Sequence, residues 1–148
     1  MIVAVGSDAR HETAVAACEI LRRRGEEVRR FGALEDGAAT DWPSVARAVG
    51  EAVASGFCAS GVLFCWTGTG VSIAANKVPG VRAALCWDAP TAAGARRWND
   101  ANVLCLSLRS TSLAVMGEII DAWFGTASSE EPEDREAIAK LEPRPSKP

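Results

Sequence analysis

The chain predicts an α/β fold of three layers, a five-stranded parallel sheet between two layers of helices. Three observations carry that expectation. Five short runs, residues 2–5, 27–31, 61–65, 81–87 and 103–106, have strand length and are either apolar throughout or alternating. The segments between them place apolar residues at helical spacing. Strand and helix then alternate through residue 123, the order expected of a parallel sheet covered on both faces.

Taken in order, residues 2–5 form a buried strand ending in Gly6-Ser7-Asp8. Residues 12–24 form a helix with Val15, Cys18, Ile20 and Leu21 on its apolar side, closed by Gly25. Residues 27–31 alternate as a second strand, and residues 32–43 read as a polar loop. Residues 45–54 are helical and stop near Ser55-Gly56. Residues 61–65 are a buried strand, followed by Trp66-Thr67-Gly68-Thr69-Gly70 and a helix from about Val71 to about Lys77. Residues 81–87 are a fourth strand. Asp88-Ala89-Pro90 opens a helix, with Pro90 suited to its first turn. Residues 103–106 are the fifth strand and residues 111–123 the last core helix.

Residues 1–125 therefore read as a single α/β domain. Residues 126–148 read as a C-terminal extension, with an acidic, turn-rich Ser128-to-Asp134 stretch, a short helix and a disordered tail at 143–148.

Composition narrows the function. A chain of 148 residues with 48% hydrophobic content can bury a core without staples. A net charge of −3 offers no clustered basic surface for nucleic acid. No apolar stretch approaches the roughly 20 residues that span a bilayer, so no membrane partner is expected. The five cysteines are odd in number and contain no C-x-x-C pair, so neither a disulfide framework nor a zinc site is expected. Reduced thiols fit the cytoplasm.

In open parallel sheets, ligands sit beyond the carboxyl ends of the strands. Asp8, the Cys65-to-Gly70 stretch and the Trp87-Asp88 region fall there. Gly68-Thr69-Gly70 follows a strand and opens a helix, which suits an anion or oxyanion held on backbone N–H groups, or simply a tight turn. It is neither a dinucleotide fingerprint nor a Walker motif. Cys65 is either a buried small hydrophobe or a thiol activated by the adjacent helix N-terminus. Asp8 is either a helix N-cap or an acceptor for sugar hydroxyls. Asn99 and Asp100 are either a helix C-terminus or site residues.

The stretch from Ser72 to Cys86, with Ala74-Ala75-Asn76-Lys77 and Gly80-Val81-Arg82-Ala83 within it, resembles the ribose-5-phosphate isomerase B and galactose-6-phosphate isomerase family. So do Asn99-Asp100-Ala101-Asn102-Val103-Leu104, the opening Gly6-Ser7-Asp8, Asp41-Trp42-Pro43 and Asp121-Ala122-Trp123. The resemblance covers roughly residues 1–125. It implies a Rossmann-like three-layer αβα fold and a homodimer or dimer of dimers with active sites shared between subunits. It implies no cofactor and no metal. Its substrate would be a small sugar or sugar phosphate, isomerised between aldose and ketose through an enediolate. Cys65 would be the proton-transferring base, with Thr67 beside the reacting oxygens. Gly68, Thr69 and Gly70 would frame the anion hole, Asp8 and Asn99 would hold hydroxyls, and Arg109 would help with phosphate.

Departures from the family's pattern are grouped at the site. Ala9 and Trp98 stand where the family carries histidines, the second of which opens the sugar ring. Trp66 replaces a glycine after Cys65, and Trp42 replaces a tyrosine. The C-terminal phosphate clamp has no match. His11 is the chain's single histidine. Indoles at positions 42, 66 and 98 suggest a reshaped substrate pocket. The expected function is an aldose–ketose isomerase of altered specificity: a tetrose 4-phosphate needs no ring opening, and an unphosphorylated sugar suits the weakened clamp. The alternatives are a catalytically incomplete sugar-binding subunit that works with a second family member, or a thiol-nucleophile enzyme.

Overall fold

The computed structural model describes residues 1–142; the tail expected at 143–148 lies outside the described residues. Elements run in the order β1 (Ile2–Ser7), α1 (Glu12–Arg23), β2 (Glu27–Gly32), α2 (Trp42–Ala54), β3 (Ser60–Cys65), α3 (Thr69–Ala75), β4 (Ala83–Leu85), α4 (Ala89–Asn99), β5 (Val103–Ser107), α5 (Leu113–Gly125) and α6 (Pro132–Ala139). The five strands form one parallel sheet in the order β2-β1-β3-β5-β4.

Alternation along each strand sorts the core onto two faces. Val3, Val5, Val62, Phe64, Leu104 and Leu106 meet α1, α4 and α5, while Ala4, Leu63, Cys65, Val103 and Cys105 meet α2 and α3. β1, β3 and β5 are buried on both sides, which explains their continuous apolar character in sequence, whereas the edge strands β2 and β4 are partly exposed. No helix among the described residues is long and apolar enough to cross a membrane.

Local chemistry sets the helix ends. Gly25, at φ +88°, closes α1 with two bonds: its own N–H donates to the Arg22 carbonyl and the Glu26 N–H to that of Leu21. Asp88 Oδ1 accepts the Thr91 N–H at 2.8 Å to cap α4, and Ser112 Oγ accepts the Val115 N–H at 3.2 Å to cap α5.

Four expectations need correction. The polar loop was expected to run through Pro43, but α2 begins at Trp42: Asp41 caps it by accepting the Ser44 N–H at 3.0 Å, and Pro43 sits in the first turn. There its fixed φ suits the helix and its missing donor has no partner to lose. β4 is three residues long, not seven. It is an edge strand paired only with β5, and side chains replace the ladder at its start, where Asn76 Oδ1 accepts the Ala83 N–H at 2.8 Å. α3 begins at Thr69 and ends at Ala75, where residues 71–77 were expected. Finally, α1 is capped not by Asp8 but by His11, whose Nδ1 accepts the Thr13 N–H at 3.2 Å.

After α5 the chain turns back along α4. The Ser129 N–H donates to the Arg97 carbonyl at 2.7 Å. α6 follows, and Glu142 ends the described chain in an ion pair with Arg82 at 3.1 Å.

Candidate active site

The sheet order places a switch point between β1 and β3, whose outward connections run in opposite directions. In doubly wound sheets the crevice for a ligand opens there, beyond the carboxyl ends. Asp8 follows β1 and Cys65 ends β3, so these two residues straddle it. The Asp8 N–H extends the ladder to the Phe64 carbonyl at 3.4 Å.

Cys65 is held by β5. Its carbonyl accepts the Leu108 N–H, and the Trp66 carbonyl accepts both the Arg109 N–H at 3.0 Å and Ser107 Oγ–H at 2.8 Å. Its side chain lies on the α2/α3 face and keeps 5% of its surface exposed. The chain then turns through Gly68, at φ +79°. Glycine is required there on two counts. The left-handed backbone disfavours side chains, and a Cβ would stand 2.6 Å from Leu85 Cδ1 and 3.0 Å from the Leu106 backbone. α3 therefore starts against the end of the sheet without a side-chain cap. The first i→i−4 bond within it runs from the Ser72 N–H to the Gly68 carbonyl. The N–H groups of Thr69, Gly70 and Val71 precede that bond and have no partner within the helix. Thr67 Oγ1 and Thr69 Oγ1 share a hydrogen at 2.7 Å beside them.

Burial pushes Cys86 up to about 12 and raises Cys18, Cys58 and Cys105 as well. Burial also raises the Asp8 carboxyl above its usual value, against a smaller opposing effect of its backbone hydrogen bond.

Trp42, at the start of α2, lays its indole on Gly70: a Cβ on that glycine would meet ring atoms at 3.1 Å. Trp66, Thr67, Thr69 and Arg109 are exposed at the same end. The structure thus gathers nine of the eleven site residues expected from sequence: Asp8, Trp42, Cys65, Trp66, Thr67, Gly68, Thr69, Gly70 and Arg109.

Trp98 and Asn99 are not among them. α4 runs from the carboxyl end of the sheet to the amino end, and its 11 residues rise about 16 Å. Trp98 and Asn99 end it and therefore lie at the edge opposite Cys65. Trp98 folds onto its own helix, over Gly94. Asn99 lines a cavity of about 320 Å³ with Asn76, Arg82 and Leu141. Within one chain these two residues lie at the opposite end of the sheet from the thiol. Residue order alone does not mark Ser107, whose hydroxyl donates to the Trp66 carbonyl; a small polar residue at a strand's end is too common a feature to single out.

A sequence profile of the Ribose/Galactose Isomerase family matches residues 3–141. The chain is 45% identical over 86 residues to ribose-5-phosphate isomerase B of Escherichia coli, a match that spans 58% of either chain. It is 35% identical over 123 residues to D-erythrulose-4-phosphate isomerase of Pectobacterium atrosepticum, covering 82% of this chain and 81% of the relative. The solved structure of ribose-5-phosphate isomerase B from Clostridium thermocellum superposes with a TM-score of 0.86 at 37% identity over 95% of both chains.

Proposed function

Because the chain belongs to the ribose/galactose isomerase family of sugar-phosphate isomerases, we propose that it interconverts an aldose phosphate and its ketose phosphate, with open-chain tetrose 4-phosphates as the preferred substrates. The observation that carries this reading is the position of Cys65: a thiol at the end of a switch-point strand, against the uncapped first turn of α3.

Cys65, as thiolate, removes the proton from C2 of the aldose. The electron pair moves through the C1–C2 bond onto the carbonyl oxygen, giving an enediolate. The N–H groups of Thr69, Gly70 and Val71 hold that charge, a role the bare turn performs without reorganising. Thr67, paired with Thr69, passes a proton between O1 and O2. The Cys65 thiol then returns its proton to C1, and the ketose forms with no net change of oxidation state. Asp8 accepts from a sugar hydroxyl, Arg109 faces the phosphate, and the Trp42 and Trp66 indoles bound the pocket.

The substrate class follows from what is replaced. Ala9 and Trp98 cannot move the proton that opens a furanose ring. A tetrose 4-phosphate has its C4 oxygen esterified and forms no such ring, so it needs no such group. For Trp98 and Asn99 to serve the thiol they would have to come from a second copy of the chain, which favours a homodimer or dimer of dimers as the working unit.

The test is exchange of the C2 proton in deuterated water, followed by NMR, across tetrose, pentose and hexose phosphates and their unphosphorylated sugars. Tetrose 4-phosphates are expected to turn over at least tenfold faster than ribose 5-phosphate. Folded protein that is silent on every substrate, or that acts only when mixed with a second family member, rejects the reading.

A further inference from the structure

A groove of about 410 Å³ runs down the outer side of the α2/α3 pair, away from Cys65. It is lined by Trp42, Arg47 and Glu51 from α2, and by Ile73, Lys77 and Pro79 from α3 and the turn that follows it. Its size falls within the range of small-molecule sites, roughly 300–1,000 Å³. Glu51 lies four residues after Arg47 on one helix, the spacing at which helix ion pairs form, yet among the described residues the two are not within ion-pair distance, and Arg47 instead lies near enough to Asp41 to help the Ser44 hydrogen bonds lower its carboxyl. Among the described residues, neither Arg47 nor Lys77 has a carboxylate within ion-pair distance.

We propose that this groove is a second sugar-phosphate site, beside the catalytic strand end and sharing Trp42 with the substrate pocket proposed there. Each component of the ligand has a counterpart. Arg47 and Lys77 offer two cations to a phosphate. Glu51 offers an acceptor to sugar hydroxyls. Trp42 and Ile73 offer an apolar face to the C–H side of the sugar. The site is not isolated from the chemistry, because the same Trp42 indole rests on Gly70 in the first turn of α3. A ligand that packs on Trp42 bears on the backbone proposed to hold the enediolate, so a substrate or product of this class would report its own concentration to the catalytic turn. Binding at the groove does not depend on which residue is the base.

The experiment maps amide shifts in ¹⁵N-labelled Cys65→Ala protein titrated with D-ribose 5-phosphate, with inorganic phosphate and with unphosphorylated D-ribose in separate arms. Saturable shifts are expected at Arg47, Ala74, Lys77 and Val78 with ribose 5-phosphate, and at least tenfold weaker binding there with either fragment. Combining Arg47→Ala with Lys77→Ala should weaken the groove titration at least tenfold and leave the Gly68 and Thr69 titration in place, while the same pair in active protein keeps the basal kcat/KM. Glu51→Gln, a milder change, should weaken ribose 5-phosphate and not inorganic phosphate. The proposal is overturned if the groove amides do not saturate, if inorganic phosphate binds as tightly as the sugar phosphate, or if the double variant leaves the groove titration unchanged.

Discussion

The two ends of the sheet are built on opposite plans. At the amino end, polar groups are closed upon one another. Asn102 Oδ1 accepts the Arg82 N–H at 2.8 Å and its Nδ2 donates to the Gly80 carbonyl at 2.9 Å. Arg82 pairs with both Asp100 and Glu142, and Arg96 pairs with Asp100. At the carboxyl end, groups are left open: an uncapped helix start and the indoles of Trp66 and Trp87, 59% and 68% exposed, above the buried Cys65. Satisfied hydrogen bonds fix a structure, whereas open donors and bare indole faces invite a ligand. The amino end therefore reads as scaffold, and the carboxyl end as the place where the proposed reaction would occur.

Perturbing the two ends should separate these roles. The largest effect belongs to Cys65→Ala, which should lower kcat by about 10²–10⁴-fold, the usual worth of a general base, with little change in melting temperature. Next is Gly68→Ala, which both strains a left-handed backbone and drives a Cβ into Leu85 and Leu106. It should cost about 1–3 kcal/mol of stability by chemical denaturation and reduce turnover as α3 shifts. At the other end, Asn102→Ala unties the Gly80 and Arg82 backbone groups. It should cost about 1–3 kcal/mol and leave the activity of the remaining folded protein near normal. Equal losses of kcat from Asn102→Ala and Cys65→Ala would erase the distinction between the ends.

The smallest effect tests Asp8. Burial raises its folded pKa, so between its unfolded and folded values the native state binds more protons than the unfolded one. Stability attributable to Asp8 is present below the unfolded pKa and lost as pH rises through the folded value. Asp8→Asn should therefore raise the melting temperature slightly at pH 7, an advantage that fades below about pH 4, while weakening substrate binding. A variant less stable than the parent at pH 7 would show that the carboxylate is favoured in the fold.

Much of this was legible in the residues because buried parallel strands advertise themselves. Residues 61–65 and 103–106 are apolar on both faces and could be little else. Where legibility failed, a local rule had two readings. Pro43 looked like the end of a loop and is the first turn of α2. Gly68-Thr69-Gly70 looked like a turn ahead of a helix and already contains its first residues. The edge strand β4 is shortened by side-chain bonds from Asn76 and Asn102, partners that sequence spacing does not reveal. For the site, the family resemblance placed Asn99 and Cys65 in one set of expected residues; the direction in which α4 runs separates them within one chain.

That separation makes subunit mixing the most direct measurement. Cys65→Ala and Asn99→Ala are each expected to be inactive alone. If every site takes its thiol from one copy and its asparagine from another, unfolding and refolding an equal mixture gives half mixed dimers, each with one intact site, and about one quarter of wild-type activity returns. Activity that stays at the sum of the two parents, or an Asn99→Ala protein that is fully active alone, would contradict a site shared between copies.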